Sequence, residues 1–182
     1  MAAALLMANF QANFNTLINK RTPLKECIID LNTSVNLITG GERFITFFVA
    51  EFDRYTNVLR YINAGHNPPI LASANQTVLL RDGCTILGSF QELPEIQVGE
   101  VILTEPSLIF TYTDGLIDVQ NAAGDYFDDL ILQQFVEGHH NLSAAEFNEA
   151  LQQEINRFKG DKEYPDDFTV LTSKFVPVAN PC

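Results

Sequence analysis

Hydrophobic positions at the start of the chain follow a helical period. Leu6, Phe10, Phe14 and Leu17 recur three or four residues apart and form one apolar face. The opening run, Ala2-Ala3-Ala4-Leu5-Leu6-Met7-Ala8, consists of strong helix formers with no capping residue ahead of it, so the chain is expected to begin inside a helix. A second helix is predicted after Thr22, with Pro23 at its first position, Leu24, Cys27, Ile28 and Leu31 on one face, and Gly40-Gly41 at its end. The texture then changes. Phe44–Phe52 is rich in aromatic and β-branched residues and reads as a buried strand. Arg54–Asn57 is turn-like, and Val58–Asn63 alternates as a second strand, so the two make a hairpin.

Short strands are expected at Ile70–Ala72 and Thr77–Leu80, separated by the polar Ser73–Gln76. Arg81–Pro94 is loop-rich. A strand over Leu108–Thr113 precedes helices over Asp128–Val136 and Ser143–Phe158, and Phe168–Phe175 is the last strand. Ser143 with Glu146 forms a capping box, and Ala145, Phe147, Leu151, Ile155 and Phe158 are read as the inward face. Strands lie between groups of helices rather than alternating with them, which favours an α+β fold. There is no internal repeat or low-complexity linker.

With 182 residues, one domain is the expectation, large enough to bury a substantial core. A composition 46% apolar and 19% charged excludes a disordered chain. The formal charge of −12 argues against nucleic acid and anionic membrane as partners, although a bound cation can reverse the local sign of an acidic site. The three cysteines, Cys27, Cys84 and Cys182, have no metal-site or disulfide-framework spacing, which fits a reducing, cytoplasmic compartment. No apolar run approaches the length of a membrane helix.

Chemistry is concentrated at the ends of two strands. Thr111-Tyr112-Thr113-Asp114-Gly115 closes one strand, and Tyr164-Pro165-Asp166-Asp167-Phe168-Thr169 opens another. If these strands are antiparallel neighbours, the end of one lies beside the start of the other, and Asp114 and Asp166 fall together. Such carboxylates repel unless a proton or cation intervenes, and hard oxygen donors suit Mg²⁺ or Mn²⁺. Taken alone, Asp-Gly also reads as a turn and Pro-Asp-Asp as a solvated loop. A third segment, Asn63-Ala64-Gly65-His66-Asn67-Pro68-Pro69, is a rigid connection with His66 at its bend. That histidine is open to titration, phosphate or metal contact, or simple bonding within its own loop. His139 and His140 sit where a helix ends and are expected to meet its last carbonyls. No nucleophile elbow, phosphate-binding loop or dinucleotide motif is present.

The order of these segments is more specific than any one of them. Phe44–Asp53 is followed by Leu59-Arg60-Tyr61-Ile62-Asn63-Ala64-Gly65-His66-Asn67-Pro68-Pro69. Leu87-Gly88, Tyr112-Thr113-Asp114-Gly115-Leu116 and Asp166-Asp167-Phe168-Thr169 come after it. Together they resemble the SpoIIE/RsbU-type branch of the metal-dependent PPM protein serine/threonine phosphatases, from about Met1 to Phe175. The resemblance implies two packed antiparallel sheets flanked by helices, and a binuclear Mn²⁺ or Mg²⁺ centre. It also implies direct attack of a metal-activated water on phosphoserine or phosphothreonine. The implied substrate is a phosphorylated STAS-domain anti-anti-sigma protein in a stress-signalling switch, with an upstream sensor domain and a homodimer as further implied partners. Asp114 and Asp166 match the metal-ligating aspartates. Asp167 matches a residue that orients the site, Gly115 completes the Asp-Gly pair, and His66 matches a histidine near the cleft. Asp118 stands where many members carry glutamate.

One departure matters. Members of this family usually carry an Asp-Val-x-Gly-x-Gly segment just before an Ala-Ala-Leu-Leu-Met-Ala helix, and that segment supplies a bridging aspartate. Here Met1-Ala2-Ala3-Ala4-Leu5-Leu6-Met7-Ala8 stands at the start of that helix. The expectation is therefore a single phosphatase domain over residues 1–182, lacking its first strands and part of its ligand set. Two readings follow: most of a catalytic domain, weakly active as it stands, or an inactive phosphatase-like module that sequesters a partner or dimerises.

Overall fold

The computed structural model describes residues 3–178. Met1, Ala2 and Cys182, which entered the expectations above, lie outside the described residues. The elements are, in order, α1 (Ala3–Asn19), α2 (Leu24–Thr39), β1 (Phe47–Asp53), β2 (Val58–Ala64), β3 (Ile70–Ala72), β4 (Thr77–Leu79) and β5 (Gly83–Cys84). There follow β6 (Gly99–Ile102), β7 (Ser107–Tyr112), a 3₁₀ turn at Asp114–Leu116, α3 (Asp129–His139), α4 (Ala144–Lys159) and β8 (Val170–Phe175). The fold is α+β, as expected. No helix among the described residues is long and apolar enough to cross a membrane.

The chain divides into two compact units. The first holds the residues up to Asp53 with Val58–His66 and Arg81–Val101, and the second holds Arg54–Asn57, Asn67–Leu80 and the residues from Ile102 on.

In the first unit, β1 and β2 form the predicted hairpin, antiparallel from Phe47 opposite Ala64 to Asp53 opposite Val58. β5 adds to β2 in parallel and β6 also pairs with β2. The helices present the predicted faces. Leu6 and Phe10 of α1 and Leu24, Cys27, Ile28 and Leu31 of α2 are buried with Ile45, Val49, Ile62 and Leu87. The rings of Phe10 and Phe14 meet Phe47 edge-on at 5.0 and 5.2 Å. Pro23 sits one position earlier than expected, as the N-cap of α2, and its carbonyl accepts from the Cys27 N–H at 2.8 Å. A proline here loses no helical bond, because the first N–H groups have no partner within the helix. α2 ends at Gly40 in the left-handed conformation.

The loop-rich stretch after β5 is tied to α2 by a buried asparagine. Asn32 is only 2% exposed. Its Oδ1 accepts from the Gly88 N–H at 2.8 Å, and its Nδ2 donates to the Phe90 and Gln91 carbonyls at 3.0 and 3.2 Å. Asn36 adds a bond to the Phe90 carbonyl at 2.7 Å.

The second unit is built on an antiparallel sheet in the order β4-β3-β7-β8. Of its two inner strands, β7 is buried on both faces except at Thr111. α3 packs on β3 and α4 on β8. Phe110, Phe127, Leu132, Phe147, Leu151 and Ile155 make the middle of the core, with the Phe147 ring 5.3 Å from Phe110 and 5.4 Å from Phe135. The capping box is formed: the Ser143 hydroxyl accepts from the Glu146 N–H, and Glu146 Oε2 accepts from the Ser143 N–H at 2.9 Å. Asp128 caps α3 in the same manner through the Ile131 N–H.

Three local expectations need correction. Phe44–Phe52 is not a buried strand: β1 starts at Phe47, Phe44 is exposed, and only Val49 of β1 is fully buried. Among the described residues β1 lies at the edge of its sheet; Ala50 and Glu51 are exposed and Phe52 and Asp53 half-buried. Ala145 is exposed, since two residues before Phe147 is more than half a turn away from the core. β5 and β6 were not expected at all.

Candidate active site

The expected adjacency of the two acidic segments is present within the second unit. β7 and β8 are antiparallel neighbours, with Tyr112 opposite Val170 as the last pair. Beyond it the Thr113 N–H donates to the Thr169 carbonyl at 3.1 Å, and Thr113 Oγ1 accepts from the Thr169 N–H at 2.9 Å. Asp114 therefore leaves the end of β7 beside the segment that carries Asp166 and Asp167 into β8.

After Thr113 the chain tightens into the 3₁₀ turn. The Leu116 N–H donates to the Thr113 carbonyl at 3.1 Å, and the Ile117 and Asp118 N–H groups both donate to the Asp114 carbonyl. The turn is anchored from below by Leu116 and Val119, both wholly buried. Val119 and Phe127 then close a small hairpin, in which Asn121 Oδ1 accepts from the Ala123 and Asp125 N–H groups.

Gly115 is buried, and its neighbour is the opposite acidic segment. A Cβ at this position would lie 2.5 Å from the Asp167 carbonyl oxygen. Only glycine lets the two backbones approach this closely.

The carboxylates themselves are exposed. Asp114 Oδ1 accepts from the Gly115 N–H at 3.0 Å and Asp166 Oδ1 from the Asp167 N–H at 2.8 Å. Among the described residues no lysine or arginine pairs with either. Asp118 and Asp167 are exposed as well, so four acidic residues share this end of the sheet. These are hard oxygen donors without a cationic partner, which fits Mg²⁺ or Mn²⁺ in kind. The number falls short: among the described residues no group of three or more His, Cys, Asp or Glu is arranged to hold a metal ion.

His66 belongs to the first unit, in the bend after β2. Its N–H donates to Asn63 Oδ1 at 2.8 Å, and Gly65 before it has φ +69°. His139 and His140 meet helix-end carbonyls as expected, through Nδ1 to the Phe135 and Glu137 oxygens. Thr113 and Thr169 have no part in the chemistry expected from the sequence. The signal was the hydroxyl next to Asp-Gly, which matters only once the partner strand is known.

The family described as Stage II sporulation protein E (SpoIIE) matches residues 1–176. The chain belongs to the SpoIIE family. Its fold is that of solved phosphatase domains. The SiaA-PP2C domain of Pseudomonas aeruginosa has a TM-score of 0.81 at 18% identity, over 94% of this chain and 70% of that one. A Mycobacterium tuberculosis chain holding RsbU and RsbW domains has a TM-score of 0.70 at 22% identity, over 97% of this chain and 50% of that one. RsbX in complex with magnesium has a TM-score of 0.62 at 13% identity, over 96% of this chain and 76% of that one. No curated protein matches. The SpoIIE family is one of PP2C-type serine/threonine phosphatases, and the acidic strand ends lie in the matched region.

Proposed function

We propose that this chain acts in hydrolysis of phosphoserine or phosphothreonine on a protein, with Asp114 and Asp166 as cation ligands. The observation that carries the reading is the juxtaposition of the Asp114 turn and the Asp166-Asp167 segment, at the end of the β7–β8 ladder of a SpoIIE-family chain. A bound Mn²⁺ or Mg²⁺ supplies neutralisation of phosphate charge and acidification of a water molecule. The chain's own contribution is positional. The 3₁₀ turn presents Asp114, the β8 entry presents Asp166, and the Asp167 N–H orients the Asp166 carboxylate by its bond to Oδ1. The exposure of all four aspartates leaves room for a protein-borne phosphate.

The proposed substrate is a phosphorylated STAS-domain protein. In support, a related chain carries an RsbU domain together with an RsbW domain. The proposed cofactor is supported by the magnesium complex of RsbX. With fewer than three clustered donors among the described residues, binding is expected to be weak and turnover slow. The same shortage favours a second reading, an inactive module that binds a partner without hydrolysis.

The deciding experiment follows dephosphorylation of a phosphorylated STAS-domain protein with Mn²⁺, alongside Mn²⁺ titration by calorimetry. Slow, chelator-sensitive hydrolysis that Asp114→Asn and Asp166→Asn abolish is the expected result. Hydrolysis indifferent to both substitutions overturns the assignment of the two aspartates. Absence of both metal binding and turnover, with the substrate still bound, favours the second reading.

A further inference from the structure

The ladder between β7 and β8 ends in an exchange of acceptors. In a regular antiparallel ladder every second opposed pair trades N–H to C=O bonds in both directions, and Thr113–Thr169 stands at such a position. At Thr113 and Thr169 only one of these is made, from the Thr113 N–H to the Thr169 carbonyl at 3.1 Å. The Thr113 carbonyl is committed elsewhere, accepting from the Leu116 N–H at 3.1 Å to close the turn that carries Asp114. Thr113 Oγ1 replaces it and accepts from the Thr169 N–H at 2.9 Å.

We infer that Thr113 is a positioning residue, whose hydroxyl lets β7 turn away at Asp114 while still holding the entry of β8 that carries Asp166. The inference rests on the proposed function. Without a side-chain acceptor at 113, the Thr113 carbonyl would have to be shared between the Leu116 N–H and the Thr169 N–H, weakening one bond or both. Either the turn opens and Asp114 swings, or the Thr169 N–H is released and Asp166, three residues before it, drifts. Gly115 makes the same junction close-fitting from the other side, against the Asp167 carbonyl. The residue type follows: serine keeps the acceptor, whereas valine keeps the shape and loses it.

The test uses the ¹⁵N-labelled chain and Mn²⁺ as probe, reading paramagnetic line broadening at residues 114–118 and 166–169. Thermal melts and amide exchange at Thr169 are recorded on the same samples. Thr113→Val is expected to weaken Mn²⁺ binding at least fivefold and to speed exchange at Thr169. Thr113→Ser is expected to stay within twofold of the parent. Melting should change little, because Thr169 is exposed and water can take the released N–H. Thr113→Ala serves as a second acceptor-free variant should valine not fold. Unchanged Mn²⁺ binding in both acceptor-free variants overturns the inference while leaving the metal reading intact. Equal loss in the serine and valine variants also overturns it, as does failure of both acceptor-free variants to fold, since Thr113 is then only structural. No broadening in the parent chain, or the same broadening in Asp114→Asn, overturns the metal reading and the inference together.

Discussion

Replacing Gly115 by alanine is the most direct probe of how the two acidic segments are held. The added Cβ would stand 2.5 Å from the Asp167 carbonyl oxygen, 3.2 Å from its carbon and 3.4 Å from Phe168 Cβ. Comfortable carbon–oxygen separations begin at about 3.3 Å, so one segment must retreat by roughly 0.8 Å. Neither segment is free to do so. The Thr113–Thr169 bonds fix one side of the junction and the buried Leu116 fixes the other. Overpacking of this kind costs about 1–3 kcal/mol, or roughly 2–12 °C in melting temperature for a chain of this length. Urea unfolding monitored by circular dichroism measures the loss, and amide shifts at residues 113–118 and 166–169 locate it. Gly138 in α3 is the control, because a Cβ there meets nothing within 4 Å. Gly138→Ala should stabilise by about 0.5–1 kcal/mol through helix propensity. Should Gly115→Ala unfold within 0.3 kcal/mol of the parent, with unshifted amides, the steric reasoning is refuted.

Two further outcomes test the frame around the site. Phe147→Ala should cost about 3–5 kcal/mol, since the ring is wholly buried between Phe110 and Phe135; a loss under about 1 kcal/mol in urea titration would show that the core closes over the gap. The Glu146 carboxyl is held below the usual carboxylate range by its bonds to Ser143, side chain first and then backbone. Its folded value is depressed, so its contribution is complete above the ordinary glutamate pKa of about 4.3 and is lost as pH falls through the lowered folded value. The stability gap between the parent and Glu146→Gln should therefore shrink on acidification from pH 6 to pH 3, and a gap that widens contradicts the capping role.

Much of this was legible in the sequence where a single element carries its own signal. The period of Leu6 and Phe10, the spacing of Phe147, Leu151 and Ile155, and the Ser143–Glu146 box each fix a helix locally. The adjacency of the segments that carry Asp114 and Asp166 follows from strand direction once β7 and β8 are neighbours. What was not legible depends on partners distant in the chain. β5 is two residues long and exists only because Asn63 and Ala64 lie beside it. The composition of β1 speaks for a strand but not for whether anything covers it. Thr113 gave no separate signal because its role arises from a carbonyl diverted into a turn.

The buried amide of Asn32 gives the stretch from Gly88 to Gln91 a kinetic character that its lack of regular structure conceals. A protease must draw several residues of extended backbone into its cleft, and Phe90, 52% exposed, offers a tempting side chain. Its carbonyl, however, is held by both Asn32 and Asn36, and the neighbouring Gly88 N–H is held by Asn32. Pulling the segment out breaks its hydrogen bonds to Asn32 and Asn36 together, so opening for cleavage carries their combined cost. Two asparagines of α2 thus give an irregular loop a resistance to opening that its lack of secondary structure hides.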